Sequence, residues 1–69
     1  MSAVKVVELI GGSKLSFDDA VKNAVDEAGK TVRGINGVWV KGFKAVVEDN
    51  KIAEYRAIVK ITFLVDKVR

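Results

Sequence analysis

From Tyr55 to Val65 every second residue is apolar: Tyr55, Ala57, Val59, Ile61, Phe63 and Val65. A period of two places all of these side chains on one face of a single strand. An apolar face that long must be covered, and the rest of the chain offers one element able to cover it. The intervening positions, Ile52, Glu54, Arg56, Ile58, Lys60, Thr62, Leu64 and Asp66, are mixed. A mixed face suits solvent, a ligand or neighbouring subunits.

The covering element is an amphipathic helix. Ser16 opens it, with a hydroxyl able to accept from the Asp19 amide, and Asp18 and Asp19 sit where a helix dipole favours anions. Phe17, Ala20, Val21, Ala24, Val25, Ala28, Val32 and Ile35 then recur at intervals of three and four, one stripe of a helix. Lys22, Asn23, Asp26, Glu27 and Lys30 lie off the stripe. Gly29 falls inside this pattern; because Val32 and Ile35 keep the period, it is read as a point of close packing rather than an early end. Gly34 and Gly37 frame the exit.

Before the helix, the β-branched run Val4–Ile10 reads as a strand. Val4, Val6, Glu8 and Ile10 share one face, and Lys5, Val7 and Leu9 the other. Gly11 and Gly12 are expected to break it. After the helix, residues 38–66 read as a long hairpin turning at Glu48-Asp49-Asn50-Lys51, where Asp49 and Asn50 tolerate left-handed backbone. Simple alternation puts Trp39, Phe43, Ala45 and Val47 on one side of the first hairpin strand, and Val40, Gly42, Lys44 and Val46 on the other. The expected fold class is α+β, in the order β-α-β-β: one domain over 1–69, with a three-stranded antiparallel sheet wrapped around one helix. The helix covers one sheet face, so function is sought on the other.

Sixty-nine residues are few for a stable core. Below roughly 70–80 residues one core rarely supplies more than about 3–5 kcal/mol, and small folds gain stability from disulfides, metals or partner subunits. The chain has no cysteine and no histidine, which leaves association, and 49% of its residues are hydrophobic. Twelve Lys and Arg against nine Asp and Glu give a net charge of +3, with the signs interleaved. Lys5 and Glu8 interrupt the apolar run at the N-terminus, so no signal-peptide pattern is expected there. No stretch approaches the roughly 20 apolar residues of a membrane helix. The expected location is cytoplasmic, with no membrane partner.

Catalytic constellations fail early. Without His or Cys there is no Ser-His or Cys-His pair. Ser13 and Lys14 are adjacent in a glycine-rich turn, a poor place for a Ser-Lys dyad. Asp18-Asp19 and Asp26-Glu27 fit a solvated helix face. Gly11-Gly12-Ser13 lacks the phosphate-loop patterns. Lys41, Lys44, Lys51, Arg56, Lys60, Lys67 and Arg69 are basic, but only Trp39 among the aromatics is placed to stack a base, so nucleic acid is not an expected partner. An enzyme is not expected either.

Two residues stand out. Trp39 is either packing for a core or interface, or a flat stacking surface for an aromatic ligand. Arg56 is either one end of a salt bridge, or a clamp for a phosphate or an aromatic ring.

Lys5-Val-Val-Glu-Leu-Ile-Gly-Gly-Ser13, Phe17-Asp-Asp-Ala-Val-Lys-Asn-Ala24, Ala28-Gly-Lys-Thr-Val-Arg33 and Tyr55-Arg-Ala-Ile-Val-Lys-Ile-Thr-Phe63 together resemble the dodecins. The resemblance spans nearly the whole chain without gaps. It implies a homododecamer: a hollow shell of twelve subunits whose sheets wrap the helices. It also implies a non-enzymatic role in storing or sequestering a flavin, such as FMN or riboflavin, between subunits. In the best-known type the isoalloxazine stacks on a tryptophan at the start of the second strand, and a glutamine on the third strand touches its edge.

Alignment places that tryptophan at Gly37 and that glutamine at Arg56. Trp39, two residues on, returns to the face of Gly37, displaced by roughly 6–7 Å along the strand. The resulting expectation is a flavin or related planar cofactor stacked on Trp39 and paired with Arg56, with Gly37 leaving room. The alternative is a shell without a flavin site that binds calcium or another small metabolite. The carboxylates of Glu48, Asp49 and Glu54 are then possible oxygen ligands, although a solvated hairpin tip also accounts for them.

Overall fold

A computed structural model describes residues 2–66. It contains β1 (Ser2–Ser13), α1 (Phe17–Gly29), β2 (Ile35–Glu48) and β3 (Lys51–Asp66). All strand pairings are antiparallel, in the order β1-β3-β2, so the alternating strand read from the sequence is the central one. The β-α-β-β order, with one helix on a three-stranded sheet, agrees with the sequence reading.

The apolar face of β3 lies under the helix. Ala57, Val59 and Ile61 are fully buried against Ala20, Ala24 and Ala28 of α1. Val7 and Leu9 of β1, with Ile35 and Val40 of β2, pack around this centre. Alanines on the helix stripe let its backbone come close to the sheet, and Gly11 brings it closer still. A β-carbon at Gly11 would collide with the Ala20 carbonyl oxygen and stand 2.8 Å from Ala24 Cβ.

That contact corrects the expected break. β1 runs unbroken through Gly11 and Gly12, which pair with Ala57 and Arg56. At Gly11 the missing side chain admits the helix rather than turning the chain. The turn follows in Lys14 and Leu15, and Ser13 organises it. Its buried Oγ donates to Asp19 Oδ2 at 2.7 Å and accepts from the Leu15 amide at 2.9 Å. Ser16, with extended backbone, caps the helix by accepting from the Asp19 amide at 3.0 Å, as expected.

The other end of the helix differs from expectation. α1 stops at Gly29, with Lys30 as its C-cap, and Ile35 already belongs to β2. A β-carbon at Gly29 would meet nothing within 4 Å, so this glycine marks an end and not a packing contact. The Val32 amide donates to the Ala28 carbonyl at 2.9 Å and closes the last turn. Gly34 then adopts φ +76°, the left-handed backbone that glycine takes without penalty, and the chain swings into β2. Ile35 still reaches the core, but from the sheet; its spacing continued the helical period by coincidence.

The hairpin turn is as read, with Asp49 at φ 53° and Asn50 at φ 62°, the pair of left-handed residues a type I′ turn requires. The faces of β2 are not as read. Val40 pairs with Val59, but Gly42 pairs with Ile58, leaving Lys41 as a bulge without an opposite residue. Opposed residues share a face. Val38, Val40, Phe43 and Ala45 therefore look toward the helix, while Gly37, Trp39, Gly42, Lys44 and Val46 look away. Trp39 parts from Phe43 and Ala45, and Val40 parts from Gly42, Lys44 and Val46 to lie with Phe43 and Ala45 toward the helix.

Candidate functional site

The sheet face opposite the helix carries the residues singled out from the sequence. Successive rows across β1, β3 and β2 are Val6–Thr62–Gly37, then Glu8–Lys60–Trp39, then Ile10–Ile58–Gly42, then Gly12–Arg56–Lys44. Charged groups are thus interleaved with Val4, Val6, Ile10 and Leu64, all of them exposed.

Trp39 is 63% exposed, a large value for an indole, which excludes the reading of a core tryptophan within the subunit. β2 is an edge strand, so the ring stands at the border of the sheet. Two ammonium groups lie over it: Lys41 Nζ is 5.8 Å and Lys60 Nζ 5.6 Å from the ring centroid. Both are within the range of cation–π attraction. The sequence named both lysines only as scattered basic residues. Their convergence on one ring follows from the pairing of Trp39 with Lys60, which needs the register.

Gly37 adjoins Trp39 on the same face, as alternation requires. The space above it is partly taken: a β-carbon there would stand 2.9 Å from Thr62 Oγ1. That hydroxyl is held by donating to Asn36 Oδ1 at 2.9 Å. A larger residue at 37 needs Thr62 to turn away.

Arg56 lies on the same face but in another row. Four residues of β3 separate it from Lys60, about 13 Å along the strand. Its guanidinium donates twice to Glu54 Oε1, from Nε at 3.2 Å and from Nη2 at 3.1 Å. The Glu54 carboxylate rests over Gly12, where a β-carbon would strike Oε2. So the structure brings Gly37 and Trp39 together and sets Arg56 apart, in a pair with Glu54. Among the described residues no three acidic side chains gather as a cation site. Glu54 turns to Arg56, while Glu48 and Asp49 stay exposed at the hairpin tip.

Comparison with known proteins gives this arrangement a context. The sequence profile of the dodecin family matches residues 3–66. The chain belongs to the dodecin family. It is 27% identical to the dodecin of Thermus thermophilus over 63 residues, 91% of each chain. Its structure is similar to that of the Streptomyces coelicolor dodecin, with a TM-score of 0.92, 28% identity, and coverage of 97% of this chain and 96% of that one. It is also similar to a calcium-chelating dodecin of Mycobacterium tuberculosis that has a calcium-binding site. There the TM-score is 0.80 with 31% identity, covering 97% of this chain and 91% of that one. These dodecins share the β-α-β-β frame, and the resemblance seen in the sequence is confirmed at the level of family and fold. Among the described residues no helix is long and apolar enough to cross a membrane.

Proposed function

We propose that the chain works as a homododecameric binding protein that stores or sequesters a flavin, or a related planar cofactor, where subunits meet. The observation that carries this reading is Trp39. It is a single exposed indole at a sheet edge, on a face rich in uncovered apolar side chains.

Association has its own support. The radius of gyration is 14.3 Å, against about 11 Å for a compact domain of this length. Besides the outer face, Leu15 and Phe43 are exposed on the helix side, at 78% and 53%. A second layer of protein over these surfaces would remove apolar area from water on a scale the lone subunit cannot reach.

Trp39 would then be the stacking surface, and Gly37 would leave the approach to it open beside Thr62. Within one subunit Arg56 stands about 13 Å from the Trp39 row. A ring stacked on Trp39 would therefore take its Arg56 contact from a neighbouring subunit. Binding and release are the whole of the proposed activity, and no turnover is assigned. A fluorescence titration with FMN and riboflavin tests it: Trp39→Ala should abolish binding, and an unchanged affinity would remove Trp39 from the site.

A second reading is favoured by the 31% identical calcium-chelating relative and by the displaced tryptophan. Here the shell would bind calcium or another small metabolite, with Glu48 and Asp49 contributed by several subunits. Calorimetry with calcium separates the two: no heat at millimolar calcium removes the ionic version.

A further inference from the structure

Trp39 does not present a bare ring. Lys41 and Lys60 approach it from different strands, one at the β2 bulge and one across the ladder on β3. Among the described residues neither lysine is in an ion pair, although Glu8 stands opposite Lys60 in the same row. Both ammonium groups rest on the indole rather than on a carboxylate. A ring stacking on Trp39 displaces them to its rim, where they remain tethered within a few ångströms of whatever the ring carries. A neutral ring would leave two like charges crowded around it. A ring bearing negative charge would neutralise them at a partly desolvated surface, where such pairing is stronger than in bulk water.

We infer that the Trp39 site selects planar aromatic ligands that carry negative charge, and that Lys41 and Lys60 are its specificity-determining residues. This deepens the stacking reading above and rests on it. Lys41 and Lys60 are drawn to the anionic substituent, while Trp39 supplies the face. Glu8, next in the row, opposes any anion that extends toward β1, so the negative group is expected to point outward past the β2 edge. Selection by two solvent-accessible ammonium groups is salt-sensitive.

The chain has one tryptophan and one tyrosine, so fluorescence excited in the indole band, where tyrosine does not absorb, reports this site alone. The test titrates the assembled protein with two matched pairs of probes. One pair is FMN and riboflavin; the other is anthraquinone-2-sulfonate and 2-(hydroxymethyl)anthraquinone. The anionic member of each pair is expected to bind about ten-fold more tightly. K41Q or K60Q should each reduce that preference about three-fold, and the double variant should erase it. Circular dichroism and native mass of the variants should match the parent, since both side chains are exposed or half-exposed at the surface. If neither flavin binds but the quinone pair shows the lysine-dependent preference, the charge selection stands and the flavin reading falls. Equal affinity within the quinone pair, or a preference untouched by the double substitution, overturns the inference.

Discussion

A β-carbon at Gly11 would stand 2.8 Å from the β-carbon of Ala24 and would run into the Ala20 carbonyl oxygen. The helix thus sits on β1 with no space for even one added methyl group. Gly11→Ala should destabilise the protein by about 1–3 kcal/mol, the range for overpacking a tight contact. Because the worst clash is with backbone, a Gly11→Ala, Ala24→Gly double variant should recover little of the loss. Urea denaturation of the assembled protein measures both, and full recovery in the double variant would show that the contact is side chain against side chain.

Ser13 and Ser16 act on the same turn by different means. Ser13 is buried and ties Asp19 to the Leu15 amide, whereas Ser16 caps the helix. Ser13→Ala removes a hydrogen-bond donor from the half-buried Asp19 carboxylate and an acceptor from the Leu15 amide, and should cost about 1–3 kcal/mol, the range for a bond to a charged group. Ser16→Ala should cost about 1 kcal/mol. Thermal melts of the two single variants check the magnitudes, and a Ser13→Ala variant as stable as the parent would contradict the placement of that hydroxyl.

At the hairpin, Asn50 holds φ 62°. Asn50→Gly should leave stability unchanged or raise it slightly, because glycine adopts that backbone freely. Asn50→Val should cost about 1–2 kcal/mol, since a β-branched side chain strains in the left-handed region. Chemical denaturation midpoints for the pair test the turn, and equal midpoints would exclude it.

Much of this architecture is legible in the sequence, for physical reasons that differ between elements. The face of β3 and the stripe of α1 are periodic, and the Asp49-Asn50 turn depends on local backbone preference; all three can be read one residue at a time. The bulge at Lys41 cannot. A bulge leaves no residue signature, and this one separates Trp39 from Phe43 and Ala45, and Val40 from Gly42 and Lys44. Gly11 and Gly12 carried an ambiguous signal, since a glycine pair serves a turn or a close approach equally well. Only the position of a helix distant in sequence decides between them. Trp39 and Arg56 were both visible as unusual residues, but their separation, and the lysines over Trp39, belong to the register.

The resemblance to the dodecins implies a stacking tryptophan at the position of Gly37 and a flavin-edge glutamine at that of Arg56, whereas the proposed site stacks its ligand on Trp39 and keeps Gly37 open. A Gly37→Trp, Arg56→Gln double variant fills that approach and removes the arginine contact, so flavin affinity should fall by about ten-fold, the loss of one good contact. Thr62 must rotate away from Asn36 to admit the new indole, and Thr62→Ser, which removes a methyl group and keeps the hydroxyl, should make little difference to this loss. Flavin fluorescence quenching measures it. A double variant that binds more tightly than the parent would move the stacking position from Trp39 to residue 37.

In the proposed function this small subunit is completed by its own copies and holds its ligand between them. Native mass spectrometry of the purified protein, with and without added FMN, tests that most directly. The expected result is a species of twelve times the 7.5 kDa subunit that gains mass in steps of bound flavin. A 7.5 kDa monomer would contradict the assembly, and a twelve-subunit species that gains no mass would contradict the flavin site.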